Sequence, residues 1–130
     1  MHPDDARLAV AHGADAIIVS THGGRQLDSC IAPMQALPEV RGAVPADFPV
    51  LIDGGFRRGS DVLKALALGA RMVFTGRPQL FGAAVGGVEG IRRAVQIFDQ
   101  EILTDMALLG CASLDEVDRS VLRTVGQTLL

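Results

Sequence analysis

Three short apolar runs divide the chain, and a polar, glycine-containing cluster closes each of them. Ala16-Ile17-Ile18-Val19-Ser20 leads into His22-Gly23-Gly24. Phe48-Pro49-Val50-Leu51-Ile52 leads into Asp53-Gly54-Gly55. Met72-Val73-Phe74-Thr75 leads into Gly76-Arg77-Pro78. Brief continuous runs rich in β-branched residues and bounded by glycine predict strands buried on both faces, as in a parallel sheet. Helical stretches lie between them. Pro3 to His12 opens with proline and acids and stops at Gly13, as a helix should. Further helices are expected over about Pro33 to Val44, Ser60 to Leu68, Val88 to Leu109 and Ser113 to Val125. The order α-β-α-β-α-β-α-α is what repeated βα units over a parallel sheet produce.

The chain also echoes itself. Ala9 to Ile18 lies 56 residues before Ala65 to Phe74, and each reads as a helix end, a Gly-Ala turn and a buried strand. Equivalent βα units build both barrels and doubly wound sheets, and the echo does not choose between them. Three strands are too few to close a (β/α)8 barrel, which takes about 250 residues. An open sheet of three would carry apolar, unpaired edges, which are prone to association. The expectation is a piece of something larger or an obligate oligomer.

Composition narrows the function classes. In 130 residues, 48% apolar and 21% charged, 12 Lys and Arg face 15 Asp and Glu, a formal net charge of −3. This is globular composition, not that of a disordered chain. With no Trp, no Tyr and 5 Phe, the chain has neither the basic stripe nor the aromatic platform of a nucleic-acid binder. No segment approaches the ~18 uninterrupted apolar residues of a transmembrane helix. Asp4 and Asp5 stand where a signal peptide would carry bases. Cys30 and Cys111 form neither a metal-type nor a redox-type pair, and no metal site is expected. A reducing cytoplasm is the expected setting.

In βα architectures ligands bind beyond the C-terminal strand ends, where all three clusters fall. In Asp53-Gly54-Gly55-Phe56-Arg57-Arg58-Gly59 the glycines allow close backbone approach, the following helix directs its positive end at the same place, and the arginines can fork onto an anion. Gly76-Arg77 repeats the arrangement one strand later, which fits a phosphate site. The plainer alternative is a pair of tight βα turns with solvated arginines. In His22-Gly23-Gly24-Arg25, an imidazole can take a proton from a substrate carbon or hydroxyl, and the arginine three residues on can hold a carboxylate beside it. A loop histidine satisfied by backbone is the bland reading of the same residues. His2 and His12 read as surface residues, Met34 and Met106 as core, and both cysteines as small hydrophobes. Arg92-Arg93 and Asp99-Gln100-Glu101 read as the solvated face of the long helix. Asp28 could brace Arg25 or simply start its loop.

Four motifs together resemble the FMN-dependent 2-hydroxy-acid oxidases and dehydrogenases, the family of glycolate oxidase, flavin-type lactate dehydrogenase and mandelate dehydrogenase. They are Ile18-Val19-Ser20-Thr21-His22-Gly23-Gly24-Arg25-Gln26-Leu27-Asp28, Leu51-Ile52-Asp53-Gly54-Gly55-Phe56-Arg57-Arg58-Gly59, Ala65-Leu66-Ala67-Leu68-Gly69-Ala70 and Thr75-Gly76-Arg77-Pro78. Ser29 to Met34 with Phe56-Arg57-Arg58 is most similar to the mandelate branch. The resemblance implies a partial TIM (β/α)8 barrel, an α/β fold in which residues 1–130 supply the last three βα units, about strands 6–8, and the C-terminal helices. It implies FMN as cofactor and a small L-2-hydroxy acid as substrate. His22 matches the catalytic base and Arg25 the substrate-carboxylate arginine. Ser20 matches a serine that touches the flavin. Asp53, Gly54, Gly55, Phe56 and Arg57, with Gly76 and Arg77, match the cradle of the ribityl-phosphate. Thr21 stands where the family usually has Asn. The family's substrate tyrosines, the carboxylate that orients its histidine and its flavin-side lysine belong to the part not resembled here. The expectation is a truncated reading frame or one half of a split enzyme, completed by an N-terminal half-barrel chain or by self-association. The alternatives are a non-catalytic phosphate-binding or FMN-binding βα module that needs a partner, and another phosphate-binding barrel family.

Overall fold

The computed structural model of the chain describes residues 1–123. Helix α1 (Pro3–Ala11) leads to strand β1 (Ile17–Val19), α2 (Pro33–Gly42) to β2 (Val50–Ile52), and α3 (Gly59–Ala67) to β3 (Met72–Val73). Helix α4 (Arg77–Leu109) follows. The strands form one parallel sheet in the order β1-β2-β3, with Ile17 opposite Val50, Val19 opposite Ile52, and Ile52 opposite Val73. Among the described residues no helix is long and apolar enough to cross a membrane.

Local chemistry explains the elements. His2 caps α1, its Nδ1 accepting the Asp4 N–H at 3.2 Å, with Pro3 in the first helical turn. Helix α2 carries Pro38 in its interior, where it removes a helical hydrogen bond. The helix forms nonetheless because Ala36, Leu37 and Val40 recur at helical spacing and are all buried against the sheet. Leu37, Val50 and Ile52 are the largest fully enclosed side chains of the main core. A second core joins α3 to α4 through Leu63, Ala67, Met106 and Val117. At the end of the sheet away from the glycine clusters, Arg41 gathers the turn between α2 and β2. Its guanidinium donates to the carbonyls of Phe48, Val44 and Pro45.

The structure departs from the sequence reading in three places. Only β2 is largely enclosed. Parallel register places Ile18, Leu51 and Met72 in one row across the sheet. Ile18 and Met72 are 54% and 51% exposed, because α1, α2 and α3 cover the other face. The long helix begins at Arg77 rather than Val88. It has two arms, 77–85 and 88–109, separated at Gly86 and Gly87, where Gly87 takes φ +54°. The expected helix from Ser113 to Val125 does not form over the described residues. Two 3-10 turns, Leu114–Glu116 and Arg119–Val121, stand there instead, and the stretch beyond residue 123 lies outside the description. Short polar side chains compete with helix formation by bonding locally. Asp118 Oδ1 accepts the Ser120 N–H at 2.8 Å, and Ser120's hydroxyl and amide hold the Asp118 carboxyl below its ordinary pKa.

Candidate functional site

The three strand tips open into one cavity of about 830 Å³, lined from β1 by His22, Gly23 and Arg25, from β2 by Asp53, Gly54, Gly55, Phe56 and Arg57, and from β3 by Phe74, Thr75, Gly76 and Arg77. The first arm of α4 adds Pro78, Leu80 and Phe81. His22, Gly55 and Gly76 therefore face one space. Ser20 is not among the lining residues; its Oγ accepts the His22 N–H at 3.0 Å.

His22 occupies an unusual backbone state. Its φ is +53°, followed by +66° at Gly23 and +74° at Gly24. The left-handed region disfavours a residue with a Cβ by roughly 1–2 kcal/mol. Two glycines follow at no such cost, and the Ser20 hydroxyl anchors the start of the turn. Strain of this kind clusters where a side chain must be presented in one direction, and here the exposed imidazole lines the cavity. Asp28 does not brace Arg25; its Oδ1 accepts the Ser29 N–H at 2.9 Å.

The loop after β2 is anchored at both ends. The Asp53 N–H donates to the Val19 carbonyl at 3.1 Å, which joins it to the tip of β1. Gly54 and Gly55 follow at φ +92° and +90°. A Cβ on Gly54 would press on Pro33 at 3.3 Å, whereas one on Gly55 would meet nothing within 4 Å. Phe56 is 4% exposed and fastens the loop into the main core. Asp53 Oδ1 is buried and, among the described residues, has no hydrogen-bond partner. A buried carboxylate oxygen without a donor is costly, and Asp53 is among the residues that line the cavity.

The start of α3 corrects the sequence reading, which directed that helix's positive end and both arginines at an anion. The N–H groups of Arg57 and Arg58 donate to Asp61 Oδ2, each at 3.1 Å. The Gly59 N–H donates to Glu101 Oε2 at 2.7 Å, and Arg58 pairs with Glu101 at 2.9 Å. These donors are occupied within the protein, and of the two arginines Arg57 lines the cavity. The helix start that does face it is that of α4. Gly76 is its N-cap, and among the described residues no side chain caps it. Backbone donors at such an end favour a phosphate. The signal was present in the sequence: Pro78 is a helix-start residue, ten positions before the Val88 at which the helix was expected to begin.

Glu101 does not belong to a solvated face either; its side chain is 23% exposed. Cys30, expected to pack as a small hydrophobe, is exposed, its Sγ donating to the Leu27 carbonyl at 3.2 Å. Cys111 packs against the second core. His2 and His12 are exposed at the two ends of α1, Met106 is buried and Met34 borders the main core.

Comparison with known proteins extends the picture. An L-lactate oxidase from Nostoc sp. is 52% identical over 119 residues, which are 92% of this chain and 33% of that enzyme. Glycolate oxidase from Spinacia oleracea is 54% identical over 117 residues, 90% of this chain and 32% of the enzyme. The crystal structure of the monotopic membrane protein (S)-mandelate dehydrogenase superposes with a TM-score of 0.89 at 42% identity, covering 94% of this chain and 32% of that one. The parallel sheet and its flanking helices are consistent with part of a (β/α)8 barrel. The chain spans about a third of the length of these relatives. Residues 1–124 match the sequence signature of the FMN-dependent dehydrogenases, and the chain belongs to that family.

Proposed function

We propose that residues 1–130 form the C-terminal portion, strands 6–8 and the helices after them, of an FMN-dependent barrel that oxidises a small L-2-hydroxy acid such as lactate, glycolate or mandelate to the 2-oxo acid. The carrying observation is the shared cavity: an imidazole and a guanidinium at one strand tip, and two glycine-arginine clusters at the next two.

The residues present suit the cofactor. A phosphate monoester needs backbone donors and cations, which the uncapped start of α4, Arg57 and Arg77 supply. A carboxylate would repel that phosphate, so Asp53 belongs further along the ligand. There its carboxylate, with Oδ1 lacking a hydrogen-bond partner among the described residues, would accept a ribityl hydroxyl. The glycine turn at Gly54 and Gly55 lets the polyol lie against the backbone, and Phe56 holds that turn to the core. Ser20 accepts from His22 and keeps its own O–H to donate toward the flavin.

FMN, when bound, accepts the two electrons that the hydroxy acid loses. The chain's part is binding and proton handling. Arg25 forks onto the substrate carboxylate and fixes the hydroxyl-bearing carbon against His22. His22 takes one of the two protons released and holds it on the imidazole. The left-handed backbone at residues 22–24 sets the direction of that ring.

The open face of the sheet supports a partner. The row Ile18, Leu51 and Met72 and the two unpaired edges suit further parallel strands, from an N-terminal half-barrel chain or from another copy of this one. The proposed setting is the cytoplasm. The purified chain alone is expected to turn over no 2-hydroxy acid. On mixing with a polypeptide carrying the preceding five βα units, bound FMN should bleach anaerobically with lactate, glycolate or mandelate. Turnover by the lone chain would overturn the partial-barrel reading. A mixed complex that binds FMN and never bleaches would favour a binding module. In the active complex, Arg25→Lys replaces a fork by a point charge. It is expected to raise KM for the hydroxy acid by about 10–100-fold with FMN affinity unchanged, since a charge-assisted hydrogen bond is worth about 1.5–3 kcal/mol. An unchanged KM would remove Arg25 from the substrate site.

A further inference from the structure

We infer that Glu101 is a positioning residue for the phosphate-binding loop after β2: from outside the cavity, it decides which of two adjacent arginines faces the ligand. The inference rests on the flavin-phosphate reading above and adds a residue that the reading does not use.

Glu101 sits in the second arm of α4, 42 residues from Gly59. One carboxylate oxygen accepts the Gly59 N–H at 2.7 Å. The other pairs with Arg58 Nη2 at 2.9 Å. Approach this close needs a glycine, because a Cβ at residue 59 would lie 2.6 Å from both Glu101 Cβ and the Ile102 nitrogen. The carboxylate is only 23% exposed, whereas its arginine partner is 70% exposed. Glu101 is thus the fixed member and Arg58 the one being held.

The consequence for the loop follows from its anchors. Upstream, the Asp53 N–H is tied to Val19. Downstream, Asp61 holds the N–H groups of Arg57 and Arg58. Asp61 lies on α3 itself and moves with that helix. Glu101 ties the loop to the second arm of α4, beside the α3–α4 core of Leu63, Ala67 and Met106, while the start of the first arm supplies the other half of the proposed phosphate site. With Arg58 turned to Glu101, Arg57 serves the ligand. Without Glu101, Arg58 is released to compete with Arg57, and the end of the loop loses its hydrogen-bonded tie to α4.

The test uses Glu101→Ala, Glu101→Gln and Arg58→Ala, in the chain and in its complex with the upstream half-barrel. Amide exchange at residues 54–59 of the chain and FMN affinity of the complex, by fluorescence quenching, are the two readouts. Loss of a hydrogen bond to a charged group predicts roughly tenfold faster exchange at residues 57–59 in Glu101→Ala and a roughly tenfold weaker FMN complex. Exchange in α1 and α2 should be unchanged. Glu101→Gln keeps an acceptor for Gly59 but turns its amide donors to Arg58, so it should restore loop exchange to within about threefold while FMN binding stays weakened. Arg58→Ala should weaken FMN less than Glu101→Ala does. Unchanged exchange in the loop, or exchange rising equally in α1 and α2, would overturn the positioning role. Absence of FMN binding by the wild-type complex would overturn the flavin reading alone, and the exchange comparison would still decide the role of Glu101 in ordering the loop.

Discussion

Glycine in place of His22 should remove the chemistry while leaving the fold as stable as before or more so. If His22 is the general base proposed above, its loss in a barrel that contains this chain should lower the rate of flavin reduction by a 2-hydroxy acid about 10²–10⁴-fold. The same change relieves a left-handed residue, φ +53°, for which glycine carries no steric penalty. Stability should therefore hold or rise by up to about 1 kcal/mol. His22→Ala separates the two effects, since it removes the imidazole and keeps the strained backbone. Both variants should lose the rate, but only the glycine variant should gain stability. Stopped-flow flavin reduction and urea unfolding measure the two quantities on the same preparations. FMN affinity should be preserved in both, because the proposed phosphate cradle draws on the other two strand tips. A rate within tenfold of wild type in either variant would remove His22 from the proton-transfer step.

The second large effect concerns the fold of α4. Gly82 in its first arm and Gly90 in its second approach so closely that a Cβ on Gly90 would overlap the Gly82 carbonyl. In an unconstrained helix, alanine for glycine is stabilising by roughly 0.5–1 kcal/mol. Here the obstacle is backbone rather than a side chain that could swing aside, so the sign reverses. Gly90→Ala is expected to destabilise the chain by about 1–3 kcal/mol or more, the range for overpacking. Forcing the arms apart should also move the start of α4 at Gly76 and Arg77, and with it half of the proposed phosphate site. Weaker FMN binding should accompany the lower unfolding midpoint. The control is Gly42→Ala in the last turn of α2, where an added Cβ meets nothing within 4 Å. It should be neutral or slightly stabilising. Equal midpoints for the two variants would mean that the Gly82–Gly90 contact does not constrain the fold.

The strand tips were legible because two signals coincide there: an apolar run too short for a helix, and glycine placed where a ligand-facing turn needs it. Asp53, Gly76 and His22 were placed at strand tips this way, and all three line the cavity. The elements that support them were not. The first arm of α4 was hidden by Gly82 within it and by Gly86 and Gly87 at its end, which lower local helix propensity. The contact between Gly82 and Gly90 that makes glycine necessary is tertiary. Glu101 lies in a charged stretch, Asp99-Gln100-Glu101, that has the look of a solvated face. Its partners are 42 and 43 positions away in sequence, and no periodicity reveals that distance. Ser113 to Val125 shows the opposite failure: a helix was expected there, and over the described residues Asp118 and Ser120 interrupt it with local bonds. The two sheet edges were anticipated as apolar, but the exposed row on the inner face was not, since a continuous apolar run does not say which of its faces will be covered.

That row limits what can join the sheet. An edge strand of a parallel sheet accepts a neighbour in either direction, so edge hydrogen bonding alone does not choose what joins. The choice falls to the exposed side chains: Ile18 and Met72 stand on a face of the sheet rather than at its rim. A single strand laid along β1 or β3 would satisfy backbone groups and leave that face wet, whereas polypeptide thick enough to cover the face would remove both from water.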